Sequence, residues 1–144
     1  MHSLYAKGWY SKGLALLNSG REEEALESFR NALDAFEDIL YEMSQKNAEA
    51  WYYKAEIITF IEGGVKALYS YKKAIELQPE NIYFWIAKAR LLYNLGELTD
   101  DYDEAYIKVL ELQPENIDDW IAKADFFLLS ERISKSIRGL RKGT

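Results

Sequence analysis

Residues 75–89 read IELQPENIYFWIAKA, and 35 residues on, residues 110–124 read LELQPENIDDWIAKA. A phrase restated at that distance is either a duplicated binding site or a packing unit that needs copies of itself to fold.

Tryptophan sets the period. The chain's four tryptophans, Trp9, Trp51, Trp85 and Trp120, are spaced by 42, 34 and 35 residues, and each opens the same phrase: WYSKG, WYYKA, WIAKA, WIAKA. Four positions on stands a small residue (Gly13, Ala55, Ala89, Ala124), and three further a larger apolar one (Leu16, Ile58, Leu92, Phe127). Offsets of zero, four and seven share one face of a 3.6-residue helix, so each phrase predicts an amphipathic helix A whose small residue admits a close neighbour. At that register the four tryptophans read as core anchors rather than a cofactor box. Glycine ends helix A at Gly20, Gly63–Gly64 and Gly96. A second helix, B, comes next, with Ala25, Phe29 and Ala32 in the first unit and Ala67, Tyr71 and Ala74 in the second. Pro79 and Pro114 stop helix B, and the asparagines Asn81 and Asn116 start the next helix A.

A period near 34 with W-x-x-x-G/A, A-x-x-x-F/Y-x-x-A and a closing proline resembles the tetratricopeptide repeat across nearly the whole chain. The resemblance implies an all-α fold, a right-handed superhelical solenoid of helix–turn–helix repeats. The units would run over about 6–47, 48–81 and 82–116, with 117–144 as an incomplete last unit ending in a short C-terminal capping helix. A lone helical hairpin cannot bury its apolar face, whereas stacked hairpins join theirs into one core. The repeated phrase is therefore a packing unit first.

The sequence departs from the family pattern in four places. Lysine replaces the usual aliphatic residue three after each tryptophan (Lys12, Lys54, Lys88, Lys123), where its stem can cover apolar surface while the ammonium reaches water. Unit one carries eight extra residues before Trp51, and Phe36, Ile39, Leu40 and Met43 extend the apolar stripe there, predicting a helix B about two turns too long. Unit three sets Tyr102 where Ala67 sits in unit two. Unit four keeps only a vestigial helix B, ERISKSIRGLRK.

Composition narrows the function. Apolar residues at 49% and aromatics at 15% suit a packed core and argue against intrinsic disorder. A net charge of −6 weighs against nucleic acid as a partner, because phosphate binding needs clustered basic charge. With no cysteine there is no disulfide framework and no thiolate metal site. No apolar run suits a membrane span, and MHSLYAKGWY does not read as a secretory signal, so a cytoplasmic protein is expected.

Catalytic residues, metal ligands and cofactors are not expected: the single histidine is His2, and no phosphate-cradling glycine loop or nucleophile motif occurs. Asp100, Asp101, Asp103 and Glu104 cluster, but with Thr99 they read as the cap and acidic first turn of a helix B. The tail has Ile133, Ile137 and Leu140 on one face and Arg132, Lys135, Arg138, Arg141 and Lys142 elsewhere. It reads as the polar terminal element that a solenoid needs, the alternative being a basic amphipathic helix for a membrane surface or an anionic partner.

In tetratricopeptide arrays the exposed face of the A helices lines a concave groove that takes peptides or helices. Offsets of one, five and eight from tryptophan lie on that face, and two residues before each tryptophan stand Lys7, Glu49, Tyr83 and Asp118. The candidate groove residues are Lys7, Tyr10, Leu14, Tyr52, Glu56, Thr59, Tyr83, Ile86, Arg90, Tyr93, Ile121 and Asp125. The row Tyr10, Tyr52, Ile86, Ile121 is either an apolar anchor for a ligand or core between adjacent A helices. The basic clamp by which some family members hold a partner's carboxylate is not reproduced, since only Lys7 and Arg90 are basic here. The expected function is non-enzymatic binding of a protein or peptide in this groove. The alternative is a scaffold that self-assembles into a homo-oligomer through its exposed terminal helices.

Overall fold

The computed structural model describes the backbone of residues 2–142 and the side chains of residues 2–131. Its elements are α1 (His2–Asn18), α2 (Glu22–Asp38) with a π turn over Ile39–Met43, α3 (Ala48–Ile61), α4 (Gly64–Leu77), α5 (Ile82–Asn94), α6 (Asp100–Glu111) and α7 (Ile117–Lys142). α1 pairs with α2, α3 with α4 and α5 with α6, and the hairpins stack in chain order. The result is an all-α helical-repeat solenoid, with no strand among the described residues.

The turns follow from the punctuation in the sequence. Gly20 and Gly96 take positive φ, 77° and 74°, which costs a residue without Cβ nothing. At Gly20 the amide bonds back to the Leu17 carbonyl at 3.0 Å and the Arg21 amide to that of Leu16 at 2.9 Å. Gly96 and Glu97 repeat this two-bond closure on Tyr93 and Leu92. Asn47, Asn81 and Asn116 each accept an amide of the helix they start, from Ala50, Tyr83 and Asp119 respectively. Thr99 sits at the N-cap of α6 but its hydroxyl makes no capping bond, which corrects its expected role; the acidic first turn of Asp100, Asp101 and Asp103 remains.

The extra residues of unit one extend its second helix as expected. α2 and its π turn span 22–43, against 14 residues in α4, and the widened last turn closes through Ser44 N–H to the Ile39 carbonyl at 2.9 Å. Phe36, Ile39 and Leu40 are buried, but Met43 is exposed. Three apolar clusters run along the array. Ala6, Ala25, Phe29, Ala32 and Phe36 head the first, with Ala50 and Ile57 of α3. Ala55, Ile58, Ala67, Tyr71 and Leu91 form the second. Ala74, Trp85, Ala89, Ala105, Val109 and Phe126 anchor the third.

The last unit departs most from expectation. No separate capping helix is present: α7 runs unbroken through 26 residues, so helix A of unit four and the tail are one element. The side chains assigned to the cap lie outside the described residues. Without a helix folded back on α7, Trp120 is 57% exposed, whereas Trp85 is 5% exposed. Ala124 is likewise exposed although Gly13, Ala55 and Ala89 are buried. Trp120 is thus not a core anchor.

Candidate functional site

Where α3, α5 and α7 lie side by side, their shared face forms a groove of ≈ 570 Å³. α3 contributes Tyr52, Glu56 and Thr59; α5 contributes Tyr83, Ile86, Ala87, Arg90, Leu91 and Asn94; α7 contributes Asp118, Ile121, Ala122 and Asp125; Tyr71 reaches in from α4. Helical periodicity brings these together, since residues three, four and seven apart share a face and the B helices set the A helices side by side.

A carboxylate ringed by phenols forms one end. The Tyr71 hydroxyl donates to Glu56 Oε1 at 2.7 Å. The Glu56 charge also acts on the phenols of Tyr10 and Tyr52. Burial, followed by the Glu56 charge, makes all three phenols hold their protons well above the ordinary tyrosine value of 10.0. Phenols that stay protonated can donate hydrogen bonds. This end of the groove can recognise polar groups.

The other walls carry unpaired charge. Arg90 is exposed and joins no ion pair among the described residues, and Asp118 and Asp125 are exposed on α7. Counting Glu56, three carboxylates face one guanidinium. Burial, with the charges of Asp119 and Asp118, makes the Tyr83 phenol hold its proton above the ordinary tyrosine value.

The sequence-predicted residues divide accordingly. Tyr52, Glu56, Thr59, Tyr83, Ile86, Arg90, Ile121 and Asp125 border the groove. The remaining four do not. Lys7 pairs with Glu49 between α1 and α3, a hydrogen bond that holds its ammonium above the usual range. Tyr10 packs its ring against Tyr53 at 5.1 Å and Phe29 at 6.0 Å, and Leu14 packs on the same cluster. Tyr93 borders a separate pocket of ≈ 220 Å³ with Tyr102, Phe126 and Leu129. The tyrosine–isoleucine row is neither all groove nor all core. Tyr52 stacks on Phe84 at 5.2 Å and Ile86 is 5% exposed, yet Ile121 is 52% exposed.

The repeated lysines act through the tryptophan ring. Lys12, Lys54 and Lys88 stand 5.1, 5.4 and 5.5 Å from the ring centres of Trp9, Trp51 and Trp85. Lys88 is buried, contrary to the expectation that its ammonium reaches water, and that burial lowers its pKa. Lys123 instead donates to the Leu110 and Leu112 carbonyls at 2.9 Å each, closing the end of α6. Among the described residues, no group of three or more His, Cys, Asp or Glu side chains is placed to hold a metal ion. Nor is any helix there long and apolar enough to cross a membrane.

Residues 6–39 and 70–105 match two family models, each for a tetratricopeptide repeat. No curated protein sequence matches the chain. Among solved structures it is similar to PcrH in complex with the chaperone binding region of PopD, at 15% identity and a TM-score of 0.66 over 90% of this chain and 91% of that one. It is similar to the first TPR of Spaghetti (RPAP3) bound to the HSP90 peptide SRMEEVD, at 19% identity and a TM-score of 0.54 over 92% and 98%. A third likeness is the Yersinia enterocolitica type III secretion chaperone SycD in complex with a peptide of the translocator YopD, at 18% identity and a TM-score of 0.53 over 95% and 92%. With the tryptophan period and the glycine-closed hairpins, the two family matches show that the chain carries tetratricopeptide repeats, and the solved structures share its helical-repeat fold.

Proposed function

We propose that the chain is a non-enzymatic interaction module that holds a peptide or helix of a protein partner in the groove between α3, α5 and α7. The observation that carries this reading is the groove itself. It is concave, it combines an aliphatic floor at Ile86 and Ile121 with unpaired charges on its walls, and the Tyr71 phenol at its edge is a hydrogen-bond donor. All three similar structures were solved with a bound peptide or binding region, which supports the same class of ligand. Apolar contact would supply affinity, while Arg90, Asp118 and Asp125 would select register and partner.

A displayed peptide library selected on the full chain supplies ligands for the test. Their affinities are then measured on Ile121→Ala, Arg90→Ala and Asp125→Ala together with each variant's denaturation midpoint. Ile121→Ala should weaken binding by about 1–3 kcal/mol with little change in midpoint. Selected peptides that bind all three variants as tightly as the parent would place their site elsewhere and end the groove reading.

A further inference from the structure

The charge of the chain is divided sharply along its length. All 24 acidic residues lie at or before Glu131, whereas five of the 18 basic residues, Arg132, Lys135, Arg138, Arg141 and Lys142, lie after it. The first 131 residues therefore carry 13 basic against 24 acidic groups, a net −11, and the last 13 residues carry +5. The groove shares the acidity of the first part, with Glu56, Asp118 and Asp125 around it and Arg90 as its one lining cation.

We propose that the occupant of this groove is the basic segment 132–142 of a second copy of the chain. The proposal rests on the groove reading above and names its ligand. Three observations support it. The segment's Ile133, Ile137 and Leu140 recur at helical spacing, the pattern by which an amphipathic helix lays an apolar face into a groove. Arg141 and Arg132 border that stripe, where they meet carboxylates of opposite sign on the walls, while Lys135, Arg138 and Lys142 fall on the far side of the helix. Its length also fits: 11 helical residues span about 16 Å, close to two helix-to-helix spacings of about 8–10 Å each, the distance across α3, α5 and α7.

The segment cannot come from the same copy. α7 forms one wall of the groove through Asp118, Ile121 and Asp125 and then continues without a break to Lys142. A helix cannot turn back on its own wall without a kink-forming break, so the occupant must be supplied in trans. Arg90 then sets direction, because the carboxyl end of the docked helix favours a nearby cation.

The test uses the full chain and a fluorescein-labelled synthetic peptide of residues 129–144. Light scattering over a wide concentration range should show a mass above one copy that falls with added salt, and peptide anisotropy should rise as dilute chain is added. Asp125→Lys and Arg141→Glu should each weaken self-association about tenfold. The chain carrying both changes should recover most of that loss, because each copy then offers a matched pair. Asp118→Lys replaces Asp125→Lys if circular dichroism shows the latter unfolded. A mass of one copy throughout with flat anisotropy overturns the proposal, as does association indifferent to Asp118, Asp125 and Arg141. If library peptides still bind through Ile121 while the tail peptide does not, only this occupant falls; if neither binds, the groove reading falls with it.

Discussion

One substitution made at two places in α1 should have opposite effects. Exchanging glycine for alanine inside a helix ordinarily gains roughly 0.5–1 kcal/mol, because it restricts the unfolded chain and improves helix propensity. At Gly8 an added Cβ would meet nothing within 4 Å, so Gly8→Ala should show that gain in full. At Gly13 the same atom would stand 2.6 Å from both Cδ1 and Cε1 of Phe29 and 3.1 Å from its Cζ. That ring has nowhere to go: Phe29 is 1% exposed and stacks on Phe60 at 5.1 Å with 5° between the planes. Overpacking a rigid core site costs about 1–3 kcal/mol, so Gly13→Ala should come out destabilising by about 1–2 kcal/mol after the propensity gain is credited. Urea denaturation followed by circular dichroism measures both variants. Trimming the ring with Phe29→Leu should cost less in the Gly13→Ala background than in the parent, a coupling that a double-mutant cycle reads directly. If Gly13→Ala stabilises as much as Gly8→Ala, the close contact between α1 and α2 is not there and the reasoning fails.

Trp85→Ala should cost about 3–5 kcal/mol, as for a buried large aromatic, and it also removes the indole's 2.7 Å bond to the Pro79 carbonyl. Trp120→Ala should cost less than about 1 kcal/mol because that ring is largely in water; equal losses would refute the open last unit. Asn81→Ala should destabilise by about 1 kcal/mol, whereas Thr99→Ala should cost little because its hydroxyl caps nothing; thermal midpoints of the two variants decide it. In an ultraviolet pH titration Tyr10, Tyr52 and Tyr71 should hold their protons after the exposed tyrosines have lost theirs. Since unfolded phenols ionise near 10.0 while these three stay protonated, the unfolded state binds fewer protons above that pH. Stability should therefore be flat below it and decline as pH rises beyond it; eleven tyrosines titrating as one class would contradict the phenol cluster around Glu56.

The helices and their turns were legible because their signals are local. Gly20 and Gly96 mark left-handed caps, Asn81 and Asn116 mark N-caps, and the tryptophan phrase carries the period. The groove was legible in part. Offsets from tryptophan picked out eight of the α3, α5 and α7 residues that border it, but treated α1 as an equal member although its Tyr10 and Leu14 are packed into the first cluster. Tyr71 was read only as a core residue of helix B, and nothing in its own helix announces that its hydroxyl reaches Glu56. Ala87, Leu91, Asn94 and Ala122 lie just beyond the chosen rows, so a wider helical face would have included them. The fate of Trp120 was hidden because it depends on the neighbouring element: the same phrase is core when a helix B folds over it and surface when none does.

α3 has a place that no other helix shares. Ala48 belongs to the third cluster, Ala50 and Ile57 to the first, and Ala55 and Ile58 to the second. A linear array whose units touch only their neighbours can open piecewise, yet here one helix stitches all three cores together. Hydrogen exchange should reflect this. Amides of α7, with an open flank, would exchange through local opening while those of α3 wait for the whole array to come apart. Cooperativity in this chain is therefore expected to follow the position of one 14-residue helix more than the number of repeats.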